Sequence, residues 1–182
     1  MTSTVDNRSI AQDKTWKYFE QNPITHSAAH YLMTIFELRS ENGYARVTDI
    51  SKRLDISAAS CSTSIKNLKK KKLVREDKNK FLELTKLGQK YVERIQKNDE
   101  LLSVFFKEVL HVDNKQAEVD ACKIEHLLSQ ETAAKLAAFL TFVRSKNKTA
   151  NQFMEIFHQL SPSCIDEKKT CEFCEQECVY KI

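Results

Sequence analysis

Two glycines and two prolines in 182 residues leave this chain few places to turn sharply. These are the residues that most readily break a helix or seed a tight turn, so their scarcity predicts long helices joined by short polar connections. The apolar spacing agrees: Ala29, Leu32, Met33, Ile35, Phe36 and Leu38 recur at intervals of three and four after Thr25, and Asn42-Gly43 supplies the chemistry that ends such a helix. Val47, Ile50 and Leu54 make a shorter stripe. Ser57 is then an N-cap for a helix from Ala58 to about Lys71, with Cys61, Ile65 and Leu68 on its buried face. Leu73-Val-Arg-Glu76 and Phe81-Leu-Glu-Leu-Thr85 are β-prone runs around the polar tip Asp77-Lys-Asn-Lys80, which predicts a two-stranded wing. Thr85 caps a long helix through Tyr91 and Ile95 toward Phe105 and Phe106, a further helix carries Asp120 to Ser129, and Glu131 to Val143 forms another. The order helix, short helix, turn, helix, hairpin is that of a winged helix-turn-helix.

A helix that enters the major groove needs small polar groups for base edges and cations for phosphates. Opposite its apolar face, the 58–71 helix carries Ser60, Ser62, Thr63, Lys66, Asn67 and Lys70, with Ser57, Ala58 and Ala59 at its start. Arg46, Lys78 and Lys80 extend that surface from the flanking turn and the wing tip. Five lysines fall within Lys66 to Lys72, whereas the whole chain has 29 Lys and Arg against 25 Asp and Glu, so placement and not net charge carries the argument. A lysine run by itself is commonly a solvated face; at the end of the second helix of this pattern, followed by a hairpin, it predicts binding to double-stranded DNA.

Cys122, Glu125 and His126 lie within five residues, and on a continuous helix they would occupy an arc of about 100°. Glu118, one turn earlier, shares that arc. A single helix seldom completes a coordination sphere, so further ligands must come from elsewhere: His30 and Met33 lie on the first long helix and Asp99 near the end of the post-wing helix. Any one of these alone is more often a packed side chain than a ligand. Together, downstream of a DNA-binding module, they predict a metal sensor.

Tyr31-Leu-Met-Thr-Ile-Phe-Glu-Leu38, Tyr44-Ala-Arg-Val-Thr-Asp-Ile-Ser51, Leu84-Thr85 with Gly88, Glu100-Leu-Leu-Ser-Val-Phe-Phe106 and above all Cys122-Lys-Ile-Glu-His126 resemble the diphtheria-toxin-repressor family of metal-dependent transcriptional regulators, which includes the manganese transport regulators. The resemblance covers roughly Ala28 to Val143. It implies a homodimer that binds an operator palindrome. The mostly α chain divides into an N-terminal arm (1–24), a winged helix-turn-helix domain (25–96), a helical metal-binding and dimerisation domain (97–145) and a linker with a Cys-rich tail (146–182), the tail being a departure from the family. The resemblance also implies a primary metal site of His30, Cys122, Glu125 and His126, and a second site drawn from Asp99 and Glu118, with Met33 nearby. Asp99 stands where the family usually has His, and Met33 where manganese-responsive members carry Glu. The thiol favours a softer ion than manganese, which puts Fe(II) first, with Mn(II) and Zn(II) as alternatives. The function so implied is repression of metal-uptake genes.

The tail spaces four thiols as Cys164-x6-Cys171-x2-Cys174-x3-Cys178. Such a set suits a structural Zn(II) site or a [4Fe-4S] cluster, and the spacing does not choose between them. A cluster there would open a different route, sensing of iron or redox state through the tail; loss of metal control altogether is the other alternative. Cys61 falls on the apolar face of its helix and reads as core. Cys122 and His126 could be imagined as nucleophile and base, but no oxyanion-binding or orienting motif accompanies them, so the chain is not read as an enzyme. No apolar run approaches the roughly 20 residues of a membrane span, and the polar start lacks a signal-peptide core, which predicts a cytoplasmic protein without membrane partners.

Overall fold

The computed structural model describes residues 24–159. The N-terminal arm and the four tail cysteines, with their expected zinc or iron-sulfur ligation, lie outside the described residues.

Thr25 opens helix α1 (His26–Asn42): its backbone is extended and its Oγ1 accepts from the Ala28 N–H at 3.2 Å. Gly43 closes it in the left-handed region at φ 78°, returning its N–H to the Arg39 carbonyl. Helix α2 (Val47–Arg53) and helix α3 (Ala58–Lys70) follow, the latter capped by Ser57 Oγ, which accepts from the Ser60 N–H at 3.1 Å. Strands β1 (Val74–Glu76) and β2 (Leu82–Leu84) pair antiparallel, with Val74 opposite Leu84 and Glu76 opposite Leu82. Asp77 fixes the tip between them: its Oδ1 accepts from the N–H groups of Asn79 and Phe81, each at 2.8 Å.

The core of this half is one continuous cluster. Leu32 and Ile35 of α1, Ile50 of α2, Cys61 and Ile65 of α3, Leu73 before β1, Leu82 of β2 and Val92 of the next helix are all essentially inaccessible to water. Burying side chains of this size contributes about 1.5–3 kcal/mol each, which is why the three-and-four spacing of α1 outranks its polar flanks in setting how it packs.

Helix α4 (Lys86–Val104) starts at Thr85, whose hydroxyl oxygen accepts from the Gly88 N–H at 3.1 Å. Gly88 is required there by space and not by φ: a Cβ would stand 2.1 Å from the Leu73 carbonyl oxygen. Helix α4 gives way to a π-helical turn over Phe105–Val109, where the sequence predicted an uninterrupted helix toward Phe106. Leu110 returns its N–H to the Phe105 carbonyl, the five-residue step of a π-helix, and Val112 reaches back six residues to the Phe106 carbonyl. Asp113 then caps helix α5 (Asn114–Ile124), accepting from the Lys115 and Gln116 N–H groups.

The chain divides after Gln130 into two compact units. The second unit contains helix α6 (Gln130–Val143) and helix α7 (Lys148–Gln159). Leu140 and Ala150 are buried within it and the Phe139 and Phe153 rings meet edge to face, 6.3 Å between centres, while Phe142 and Ile156 remain exposed. Among the described residues, no helix is long and apolar enough to cross a membrane.

Candidate metal centre and nucleic-acid interface

Helix α1 and the end of α5 bring together side chains from opposite ends of the first unit. Cys122 Sγ lies 3.6 Å from His30 Nε2, a contact spanning 92 residues of sequence. His26, one turn before His30, places its Nε2 3.1 Å from that of His30, and one donor atom from each of His26, His30 and Cys122 falls within 4.8 Å of the others. The His126 ring stands 5.1 Å from the His26 ring, centre to centre. His26 is absent from the sequence-derived set. Its signal was the four-residue spacing to His30 just inside the Thr25 cap, which puts both rings on one helical face.

Glu125 and His126 reach this region differently from the expectation. The helix stops at Ile124 and Glu125 is its C-cap, so the two residues lie in a turn and not on a continued helical face. Buried Asn98 of α4 sets that end: its Nδ2 donates to the Glu125 carbonyl at 2.6 Å, taking up an acceptor that the helix leaves open. Arg94, one turn earlier, donates to the Leu128 carbonyl at 3.2 Å. Both Glu125 and His126 are buried.

Each residue of the expected second site has its own contacts. Glu118 accepts from Lys107 Nζ at 2.8 Å and is exposed. Asp99 shares a hydrogen bond with the Glu125 carboxyl, and Met33 packs against the apolar core. Asp99 therefore lies beside Glu125 of the primary group, and it also feels the charge of Glu118.

Electrostatics follow from burial and crowding. Burial pushes the Glu125 carboxyl up to about 7, reinforced by the Asp99 charge and the hydrogen bond between them. Asp99 is itself raised by burial, although the same hydrogen bond pulls it the other way. Burial lowers His30 and His126, with His26 repelling both of their charged forms. Burial raises the Cys122 thiol, and the carboxyls of Glu125 and Asp99 add to that. Neutral imidazoles and a thiolate are the forms that ligate metals. The site has the imidazoles ready; the thiol must still be deprotonated, which a cation in contact with it would favour. Two imidazoles and a thiol converging on one point thus fit a divalent transition ion by donor chemistry.

In the DNA-binding half, α3 exposes Ala58, Ala59, Ser60, Thr63, Lys66, Asn67 and Lys70 along with its Ser57 cap, and Ser62 is half-buried. Lys69 is paired with Glu76 of β1, which ties the helix to the wing. Arg46 is held over the faces of Tyr44 and Phe81, 5.0 Å from each ring centre, and Lys78 and Lys80 are exposed at the wing tip.

A winged helix-turn-helix followed by helices that carry imidazole, thiol and carboxylate groups defines a class: DNA-binding transcriptional regulators that bind metal. Residues 24–82 match the N-terminal DNA-binding domain of the iron-dependent repressors, and residues 85–154 match their metal-binding and dimerisation domain. The chain belongs to the iron-dependent repressor family. It is 30% identical to the HTH-type transcriptional regulator MntR of Bacillus pumilus over 132 residues, 72% of this chain and 91% of that one, and 29% identical to MntR of Shouchella clausii over the same share of this chain and 92% of that one. Among solved structures, the manganese regulator SloR matches with a TM-score of 0.56 at 27% identity, covering 62% of this chain and 53% of SloR. The protein SSo2273 of Sulfolobus solfataricus matches in fold with a TM-score of 0.57 at 20% identity, covering 64% and 89%.

Proposed function

We propose that this chain is a metal-activated repressor of metal-uptake genes, working in the cytoplasm as a homodimer on a palindromic operator. The observation that carries this reading is the approach of Cys122 to His30. His30 belongs to α1, the first helix of the DNA-binding half (25–96). Cys122, Glu125 and His126 belong to the helical half (97–145), so an ion held between them favours one arrangement of the two.

The chain's own residues divide the work. His30, His126 and Cys122 supply nitrogen and sulfur donors, while Glu125, hydrogen-bonded to Asp99, supplies a carboxyl beside them. The ion would neutralise the repulsion among these side chains and hold α1 against the 122–126 segment. Stimulation is limited by differential affinity: a tenfold gain in operator binding requires the DNA-competent form to bind metal about 1.4 kcal/mol more tightly per dimer. The donors favour Fe(II), placed first by the sequence, or Zn(II), over Mn(II). On DNA, α3 lies in the major groove with Ser57, Ala58, Ala59, Ser60, Ser62, Thr63 and Asn67 toward base edges, and Lys66, Lys70, Arg46, Lys78 and Lys80 contact phosphates. The exposed apolar side chains of the second unit, Phe142, Phe153 and Ile156, provide surface for the dimer.

An anaerobic gel shift with operator DNA, with and without Fe(II) or Zn(II), tests this. Metal should tighten binding by tenfold or more in the parent protein, and His126→Ala should remove the effect while leaving the circular dichroism spectrum unchanged. Equal stimulation in parent and variant refutes the bridging role.

A further inference from the structure

Helix α1 holds two imidazoles where the sequence pattern of the family called for one. His26 lies in its first turn, outside every motif that carried the resemblance, yet its Nε2 is 3.1 Å from His30 Nε2, and it completes with Cys122 the cluster of donors within 4.8 Å. Its ring also meets that of buried His126 at 5.1 Å. The Glu125 carboxyl, by contrast, is engaged with Asp99.

The separations can be compared with those an ion would impose. With zinc–nitrogen bonds of about 2.05 Å and a zinc–sulfur bond of about 2.3 Å, tetrahedral angles put two nitrogens about 3.3 Å apart and a nitrogen and a sulfur about 3.6 Å apart. The corresponding distances here are 3.1 Å for His26 to His30 and 3.6 Å for His30 to Cys122. Two of the three separations thus match such an ion, and the third, His26 to Cys122, lies within 4.8 Å. An oxygen-preferring, six-coordinate ion would need the carboxylates, and these are turned to each other. Imidazole with thiolate is the donor combination of borderline ions with a tetrahedral preference.

We propose that His26 is a metal ligand which, with His30, Cys122 and His126, forms a four-coordinate nitrogen–sulfur site selective for Zn(II), leaving Glu125 and Asp99 as a carboxyl pair outside the coordination sphere. This rests on the reading above, that metal bridges α1 and the 122–126 segment, and narrows it from Fe(II) to Zn(II). His26 and His30, one turn apart on α1, clamp the ion from the DNA-binding side with two bonds in place of one, so the orientation of that helix is fixed as well as its distance. The consequence is selectivity: Mn(II), which favours oxygen donors and higher coordination, is left without its preferred ligands.

The test uses full-length protein whose four tail cysteines are replaced by serine, so that Cys122 and the core-buried Cys61 are the remaining thiols, titrated with Co(II) as a spectroscopic probe and with Zn(II) against a competing chelator. His26→Ala and His26→Asn are compared with Cys122→Ser, and operator binding is measured in parallel. The proposal expects intense visible ligand-field bands of four-coordinate Co(II) with a thiolate charge-transfer band. It expects both His26 variants to weaken the visible bands while retaining the thiolate band, and to lower Zn(II) affinity by more than about tenfold, the lower end of what loss of an outer-sphere partner alone costs. Cys122→Ser should abolish the thiolate band. If Cys122→Ser loses metal and metal-stimulated operator binding but the His26 variants match the parent, His26 is not a ligand and the bridging reading stands. A weak, six-coordinate Co(II) spectrum in the parent overturns the four-coordinate assignment. If neither Cys122→Ser nor the His26 variants change metal affinity, both the proposal and the reading beneath it fail.

Discussion

Replacing Gly88 by alanine isolates the junction between the wing and the helix that runs to the metal centre. The added Cβ would stand 2.1 Å from the Leu73 carbonyl oxygen, about 1.3 Å inside ordinary van der Waals contact, and the neighbour is backbone and cannot swing aside. Relief requires α4 to back away from Leu73. The same carbonyl accepts the Thr85 N–H at 2.9 Å, and Thr85 Oγ1 bonds the Lys72 carbonyl at 2.7 Å while receiving the Gly88 N–H. Moving the helix start by an ångström weakens these together. Two or three hydrogen bonds at about 1 kcal/mol each, one of them a cap, outweigh the roughly 1 kcal/mol by which alanine is the better helix former. The net expectation is a loss of about 1–2 kcal/mol, or a fall in melting temperature of roughly 2–8 °C for a chain of this size. Thermal unfolding of the metal-free protein followed by circular dichroism reads it, with Gln89→Ala at the exposed neighbouring position as the control. A melting temperature equal to or above the parent's would show that the junction yields at no cost and that the reasoning about Leu73 is wrong.

Other outcomes are equally specific. Lys66→Ala and Lys70→Ala should each weaken binding to operator and random DNA alike and make the log–log salt dependence shallower by about 0.9 for each phosphate that is no longer neutralised; an effect confined to one base position would contradict the phosphate role. Zn(II) affinity should keep rising with pH through and above 7. Burial already holds His30 and His126 neutral below the ordinary histidine range, whereas the raised Cys122 thiol still has a proton to release, so Cys122→Ser should flatten the slope above pH 7; an unchanged slope in a chelator-competition titration would remove Cys122 from the site. Phe153→Glu combined with Ile156→Glu should give monomers in sedimentation without loss of helicity, and a persistent dimer would move the interface elsewhere.

Helix starts are largely legible in the sequence because their chemistry is local. Ser57 and Thr85 each cap the helix that their hydroxyls predict, Thr25 caps α1 where its apolar pattern begins, Gly43 ends α1, and the wing strands form where β-prone residues flank Asp77. The end of α5 is not legible. Nothing in Ile124-Glu-His126 breaks a helix, and the termination comes from Asn98, 27 residues earlier, drawing the Glu125 carbonyl to itself. The π-helical turn after Val104 has no glycine or proline to announce it either. At the metal centre, His30 falls within the stretch that the resemblance covers, whereas His26 precedes it and escapes that reading. A helical wheel started from Thr25 sets the two imidazoles side by side. The resemblance implies a second site at Asp99, and the hydrogen bond of Asp99 to Glu125 of the primary set is a contact that no sequence pattern announces.

Helix α4 is fastened at two points. Near its start, Thr85 and Gly88 lock it to Leu73 at the base of the wing; thirteen residues beyond Thr85, Asn98 grips the turn that carries Glu125 and His126. That is roughly 20 Å of helix, and between Gln89 and Val104 it contains neither glycine nor proline. Such an element behaves as a push-rod. A displacement of the 125–126 turn that would fade within a flexible loop is delivered at the wing with little attenuation, and the stiffness of this one helix sets how faithfully the two ends of the first unit keep step.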